Sequence, residues 1–170
     1  IGLSAIQGSR VAGAGRIIAV DMNPESLEAA RLMGATDTVN AGEVDSVVDA
    51  VRDLTKGGVE YSFEAIGLKE TAEQAFEMLE IGGTATVIGM VPSNTKVEIR
   101  GIDLLSEKKL QGSMMGSNQF RTDIPQMIDL YLNGRLYLDE MVSATISLEE
   151  VNEGYNWMRE GTVARTVITF

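Results

Sequence analysis

The sequence contains no histidine and no cysteine. A structural zinc site draws its ligands chiefly from those two residue types, so none is expected within these residues. No disulfide can form, and neither a Ser-His-Asp nor a Cys-His catalytic pair can be assembled. Positive charge is also scarce: 14 Lys+Arg stand against 25 Asp+Glu, a formal net charge of −11. Such an acidic chain repels phosphate backbones, which argues against a nucleic-acid partner. No apolar run reaches the roughly 18 residues of a membrane span, so no membrane partner is expected. Ile1 to Ala14 is apolar, but Arg10 interrupts it and no basic leader precedes it, so it is not read as a signal peptide. The chain opens on Ile1 rather than Met. A fragment, a processed form or a trimmed form is therefore expected.

What is present fits one packed domain. The chain has 170 residues, of which 44% are hydrophobic, an ordinary core content. Its 18 Gly exceed the usual share of about 7%, which points to turns or close backbone approaches. Apolar residues at Ile1, Ala5, Ile6, Val11 and Ala12 suggest a helix. Arg16–Asp21 is a β-branched run closed by an acid, the pattern of a buried strand. Asn23 and Pro24 then start a helix with Leu27, Ala30 and Leu32 expected on its buried side. Thr38–Asn40 reads as a weak strand, Val44–Leu54 as a helix, Val59–Ala65 as a strand and Thr71–Leu79 as a helix ended by Gly82-Gly83. Thr84–Gly89 is a strong strand.

The pattern loosens after Gly89. Lys96–Ile99 and Lys109–Met115 read as strands, Leu104–Ser106 as part of a brief helix and Ile124–Leu132 as an amphipathic helix. Leu148–Met158 is expected to be a helix opened by a capping box of Ser147 and Glu150, and Val163–Ile168 a terminal strand. Strands alternating with helices argue for an α/β fold with a parallel sheet wrapped by helices.

The most informative residue is Asp21. In dinucleotide-binding folds a glycine turn joins the first strand to the first helix, and an acid about twenty residues on closes the second strand. Here Gly2 precedes a helix and Asp21 closes the next strand. A carboxylate there can accept both adenosine ribose hydroxyls and repels a 2′-phosphate, which favours NAD over NADP. The alternative is an acid that merely flanks a helix. The full glycine motif is not visible; only Gly2 remains of it.

The sequence resembles the zinc-type medium-chain alcohol dehydrogenase family. The likeness is carried by Ile1-Gly2-Leu3-Ser4-Ala5-Ile6-Gln7-Gly8, Arg16–Asp21, Gly34-Ala35-Thr36, Gly57-Gly58-Val59 and Tyr61-Ser62-Phe63-Glu64-Ala65-Ile66-Gly67. It continues through Val151–Tyr155, Met158–Gly161 and Arg165–Phe170. The resemblance implies a doubly wound (Rossmann) parallel sheet without its first strand and without the N-terminal catalytic domain. Residues 1–140 would be the NAD-binding domain, cut at the glycine turn, and 141–170 a segment returning toward the absent domain.

The resemblance also implies a site. Gly2 matches the last glycine of the turn and Asp21 the ribose-binding acid. Ser26 stands where the family often carries a basic residue near that ribose. Ile66 matches a residue packed near a cofactor ribose. Ile88, Gly89 and Met90 match one backbone stretch along the nicotinamide, and Ser113, Met114 and Met115 a second. Arg165 matches an arginine that reaches the pyrophosphate. Each has a plainer reading. Ile66 and Ile88 could be core, Gly89 a strand-end turn and Arg165 a solvated charge. The methionines could be core filler, and Lys108 and Lys109 a solvated pair.

The implied cofactor is NAD, with zinc only in the absent domain, where the zinc ligands and the proton relay lie. No catalytic residue is expected among these 170. The implied substrate is a small alcohol or aldehyde and the location cytoplasmic. A homodimer or tetramer would form through edge strands near 96–99 and 109–115. Two other classes compete. One is an S-adenosylmethionine-dependent methyltransferase-like domain, suggested by Asp21 and by Leu79-Glu80-Ile81-Gly82-Gly83 before a strand. The other is a non-catalytic dimerising fragment. Short-chain dehydrogenase chemistry is disfavoured, because no tyrosine has a lysine four residues on. In the strand order 3-2-1-4-5-6 the first strand is central. Its loss would leave open facing edges on the strand ending at Asp21 and on Val59–Ala65, and either a poorly stable chain or another segment filling the gap is expected.

Overall fold

A computed structural model describes residues 1–161 and 163–170. Helix α1 (Gly2–Val11) leads into strand β1 (Ile18–Asp21). Asn23 caps α2 (Pro24–Met33), its side chain accepting from the Glu25 N–H at 2.9 Å. After β2 (Asp37–Asn40), Ser46 caps α3 (Val47–Thr55) by accepting from the Asp49 N–H at 3.1 Å. Strand β3 (Val59–Glu64), helix α4 (Lys69–Glu77), β4 (Leu79–Val87) and β5 (Lys109–Gly112) complete the alternating part. Helix α5 (Phe120–Leu132), β6 (Ala144–Ile146), α6 (Val151–Glu160) and β7 (Thr166–Ile168) close the chain.

All strand pairing is parallel, as the alternation of strands and helices requires. β1 pairs with β2, and β3, β4 and β5 form a second sheet in that order. Among the described residues no ladder joins β1 to β3. The order β2-β1, break, β3-β4-β5 is the doubly wound arrangement with its central strand missing. Ile18 and Val59, the first residues of β1 and β3, pack on one cluster built from Val39, Val47 and Val51. Both strands therefore set out from the same end of the molecule. Tyr61 and Phe63 of β3 stay exposed at 70% and 49%, unusual for a strand of a parallel sheet. β6 and β7 form a separate parallel pair around α6.

Several expectations change. Lys96–Ile99 forms no strand. Instead the Glu98 N–H donates to Glu73 Oε1 at 2.7 Å, and Lys69 Nζ reaches Glu98 at 2.6 Å, so side chains of α4 tether the segment. β5 stops at Gly112, because Met115 adopts a positive φ of 50° that no strand continues through. The helix expected to run to Leu79 ends at Glu77, and Gly82 and Gly83 lie within β4. Leu32 is 70% exposed and Met33 is buried, because Met33 is three residues from Ala30 and shares its face. The capping box at Ser147 and Glu150 is formed, but it opens a short 3-10 turn before α6 begins.

Lys108 is buried rather than solvated. Its ammonium donates to the Glu77 carbonyl at 3.2 Å and lies 5.8 Å from the Phe76 ring centre. Burial pushes its pKa below the usual lysine value. Arg52 donates to the same carbonyl at 2.7 Å, so two cations serve the C-terminal end of α4.

Candidate functional site

Asp21, Ile66, Ile88–Met90 and Ser113–Met115 lie at or just past strand ends, whereas Gly2 opens a helix and Arg165 precedes β7. Asp21 is the last residue of β1 and half-buried. Its Oδ1 accepts the Asn23 N–H at 2.8 Å, and its other oxygen accepts no hydrogen bond from the described residues. Asn23 in turn donates to the Gly161 carbonyl at 3.2 Å. The segment that leads to Arg165 thus starts beside Asp21. Arg165 is exposed, and its guanidinium has no partner among the described residues; its carbonyl accepts from the Ser143 N–H at 2.8 Å. Gly2 opens α1, and a Cβ placed on it would meet nothing within 4 Å.

A second group sits at the ends of β3, β4 and β5. The Ile88 and Gly89 N–H groups donate to the Glu64 carbonyl at 2.8 and 3.1 Å, and the Ser113 N–H donates to the Val87 carbonyl at 3.0 Å. Ile66, Ile88–Met90 and Ser113–Met115 are brought together by these bonds. The approach of the two loops demands glycine twice. A Cβ on Gly89 would lie 2.2 Å from the Gly67 nitrogen, and one on Gly67 would lie 2.7 Å from the Met90 backbone, with Gly67 at φ +93°. Gly89 is therefore more than a strand-end turn. Ile66 is 63% exposed, Met90 93%, Met114 86% and Met115 81%, so none of these four is core filler. Ile88 is half-buried. The break between β1 and β3 separates Asp21 from this second group.

Two open depressions, of about 680 and 270 Å³, lie elsewhere: one beside α5 at Gln126, Leu130 and Arg135, the other around Tyr61, Ile81 and Lys109. Neither includes a predicted site residue.

Two side chains went unassigned in the sequence. Gln7 is fully buried, donates to the Tyr137 carbonyl at 2.9 Å and accepts from the Tyr137 N–H at 2.6 Å. Arg10 stacks 4.4 Å over the Tyr137 ring. The only signal for Gln7 was a polar residue one turn from Leu3 and Val11, on the face they share. Glu64 is the other. Its signal was an acid at a strand end followed three residues later by glycine, the spacing of a side chain that caps its own turn.

The parallel strand order and the interlocked backbone at the strand ends define a doubly wound α/β domain. A family model described as zinc-binding dehydrogenase matches residues 1–133, and the chain belongs to that family. It is 37% identical to S-(hydroxymethyl)glutathione dehydrogenase of Escherichia coli O1:K1, over all of this chain and 47% of that protein. Benzyl alcohol dehydrogenase from Acinetobacter calcoaceticus superposes with a TM-score of 0.94 at 33% identity, over 98% of this chain and 46% of that one. A zinc-binding dehydrogenase from Sinorhizobium meliloti 1021, solved bound to NADP, gives a TM-score of 0.82 at 33% identity, over 90% of this chain and 44% of that one. The chain spans about half the length of the curated relatives it matches. Among the described residues no helix is long and apolar enough to cross a membrane.

Proposed function

We propose that these residues are the NAD(H)-holding part of an alcohol dehydrogenase. The observation that carries the reading is the strand-end arrangement, with the Ile66–Gly67 turn and the Ile88–Met90 stretch locked at backbone distance and Ser113 bonded alongside. Backbone this close leaves no room for a side chain between the two stretches, and the exposed Ile66 and Met90 beside them offer apolar surface to a ring. Asp21 keeps one carboxylate oxygen free among the described residues to accept ribose hydroxyls. Its charge disfavours a 2′-phosphate, so NAD is the expected partner even though one neighbour holds NADP. The Arg165 guanidinium is exposed and has no partner among the described residues, which suits it to a pyrophosphate.

NAD supplies hydride acceptance and return when bound. The chain's own part is to hold the ribose at Asp21, fix the ring at the ends of β3 to β5 and shield one face. Zinc would be held outside these residues. They contain no His or Cys, and among the described residues no cluster of three or more acids could hold a metal ion. In the whole protein the reaction would pass a hydride between a small alcohol and NAD, in the cytoplasm.

A fluorescence titration with NADH and with S-adenosylmethionine tests the reading. A response to NADH alone is expected; a response to S-adenosylmethionine alone would sink it. An oligomer is proposed as well, because β5 is paired on one edge only and Ile102, Leu105 and Met114 beside it are 65%, 80% and 86% exposed. Gel filtration should show a dimer or tetramer. A dimer that is indifferent to NAD would favour a fragment that only associates.

A further inference from the structure

Glu64 ends β3 with a carboxylate only 3% exposed. Burying a carboxylate is costly unless hydrogen bonds compensate. Here compensation falls on one oxygen. Oε1 accepts the Ile66 N–H at 2.8 Å, the Gly67 N–H at 2.7 Å and the Thr71 hydroxyl at 2.8 Å. Oε2 has no partner among the described residues and lies where a Cβ on Gly89 would come within 2.5 Å. A side chain satisfied for its own sake would have both oxygens bonded. The geometry instead serves the backbone around it. The carbonyl of the same residue accepts from Ile88 and Gly89. Glu64 therefore joins the turn after β3, the first turn of α4 and the tip of β4.

We propose that Glu64 is a positioning residue for the nicotinamide end of the site. It fixes the Ile66–Gly67 turn against the Ile88–Met90 stretch, and it acts on the ring through those backbones without touching it. The inference rests on the NAD reading above. It predicts a selective defect: ligands that lack nicotinamide should not sense the change.

The test compares dissociation constants of NADH and ADP-ribose, which keeps the adenosine and pyrophosphate but lacks nicotinamide. Measurements use the intact polypeptide that carries these residues. Glu64→Asp withdraws the carboxylate from its three donors and should weaken NADH about tenfold, ADP-ribose less than about twofold. Glu64→Gln keeps an acceptor but places an amide donor at the partnerless position, and a smaller selective loss is expected. If neither variant folds, Thr71→Val, which removes one donor at the periphery, is read in the same way. Equal loss of both ligands, or loss of neither, overturns the proposal while leaving the cofactor reading intact. Failure of the unaltered protein to bind either ligand overturns both.

Discussion

At the residue scale the structure separates charges paired within the fold from charges without an ionic partner among the described residues. Arg16 grips Asp37 at both oxygens, at 2.8 and 2.7 Å, and the Thr36 hydroxyl adds a bond at 2.7 Å. The Arg16 hydrogen bonds, then that of Thr36, draw the Asp37 pKa down to about 2. The folded value lies below the ordinary unfolded one of about 3.9. The stabilisation is therefore complete above about pH 4 and is lost as pH falls toward about 2. The difference in urea midpoint between the unaltered chain and Asp37→Asn should shrink over that window. The effect is small, because the pair is partly exposed. A difference that grew on acidification would contradict this account. Asp21 has no such partner among the described residues. Asp21→Ala should weaken NADH about tenfold and NADPH less. An unchanged preference between the two would remove Asp21 from the ribose site.

At the element scale, turn and cap chemistry is local and was legible. Asn23-Pro24 starts α2, and Ser147 with Glu150 forms its box, because the bonds involved span two or three residues. Tertiary bonds were not legible. Gln7 sits 130 residues from Tyr137, and no local pattern announces that pairing. Gln7→Ala would orphan both Tyr137 backbone groups and should cost about 2–3 kcal/mol of stability, read by urea unfolding. A cost near zero would mean that water replaces the amide. Lys108 escaped for the same reason: its burial is decided by α4 above it, although its sequence neighbour Lys109 is exposed.

At the scale of the whole molecule the divided sheet dominates. Among the described residues β4 is bonded on both sides, whereas β1 and β3 each have a partner on one side only. Amide hydrogen exchange on the isolated chain should therefore be slowest over 84–87 and faster over 18–21 and 59–64. A cooperative, high-temperature melt of a monomeric sample would show that the open edges cost little and would overturn the expected instability. The exposed Tyr61 and Phe63 beside the break add to that expectation.

The alternation of elements, the parallel pairing and the acid at the end of β1 were legible in the sequence, because each follows from local periodicity and from short connections between neighbouring elements. The residues proposed for the site fall in separate segments of the sequence. Only the tertiary structure decided how close those segments come. The Gly67–Gly89 approach, the single-oxygen bonding of Glu64 and the burial of Lys108 depend on packing between segments far apart in the chain. Such contacts depend on the side chains and backbone that meet there, and a one-dimensional pattern does not encode the distance between them.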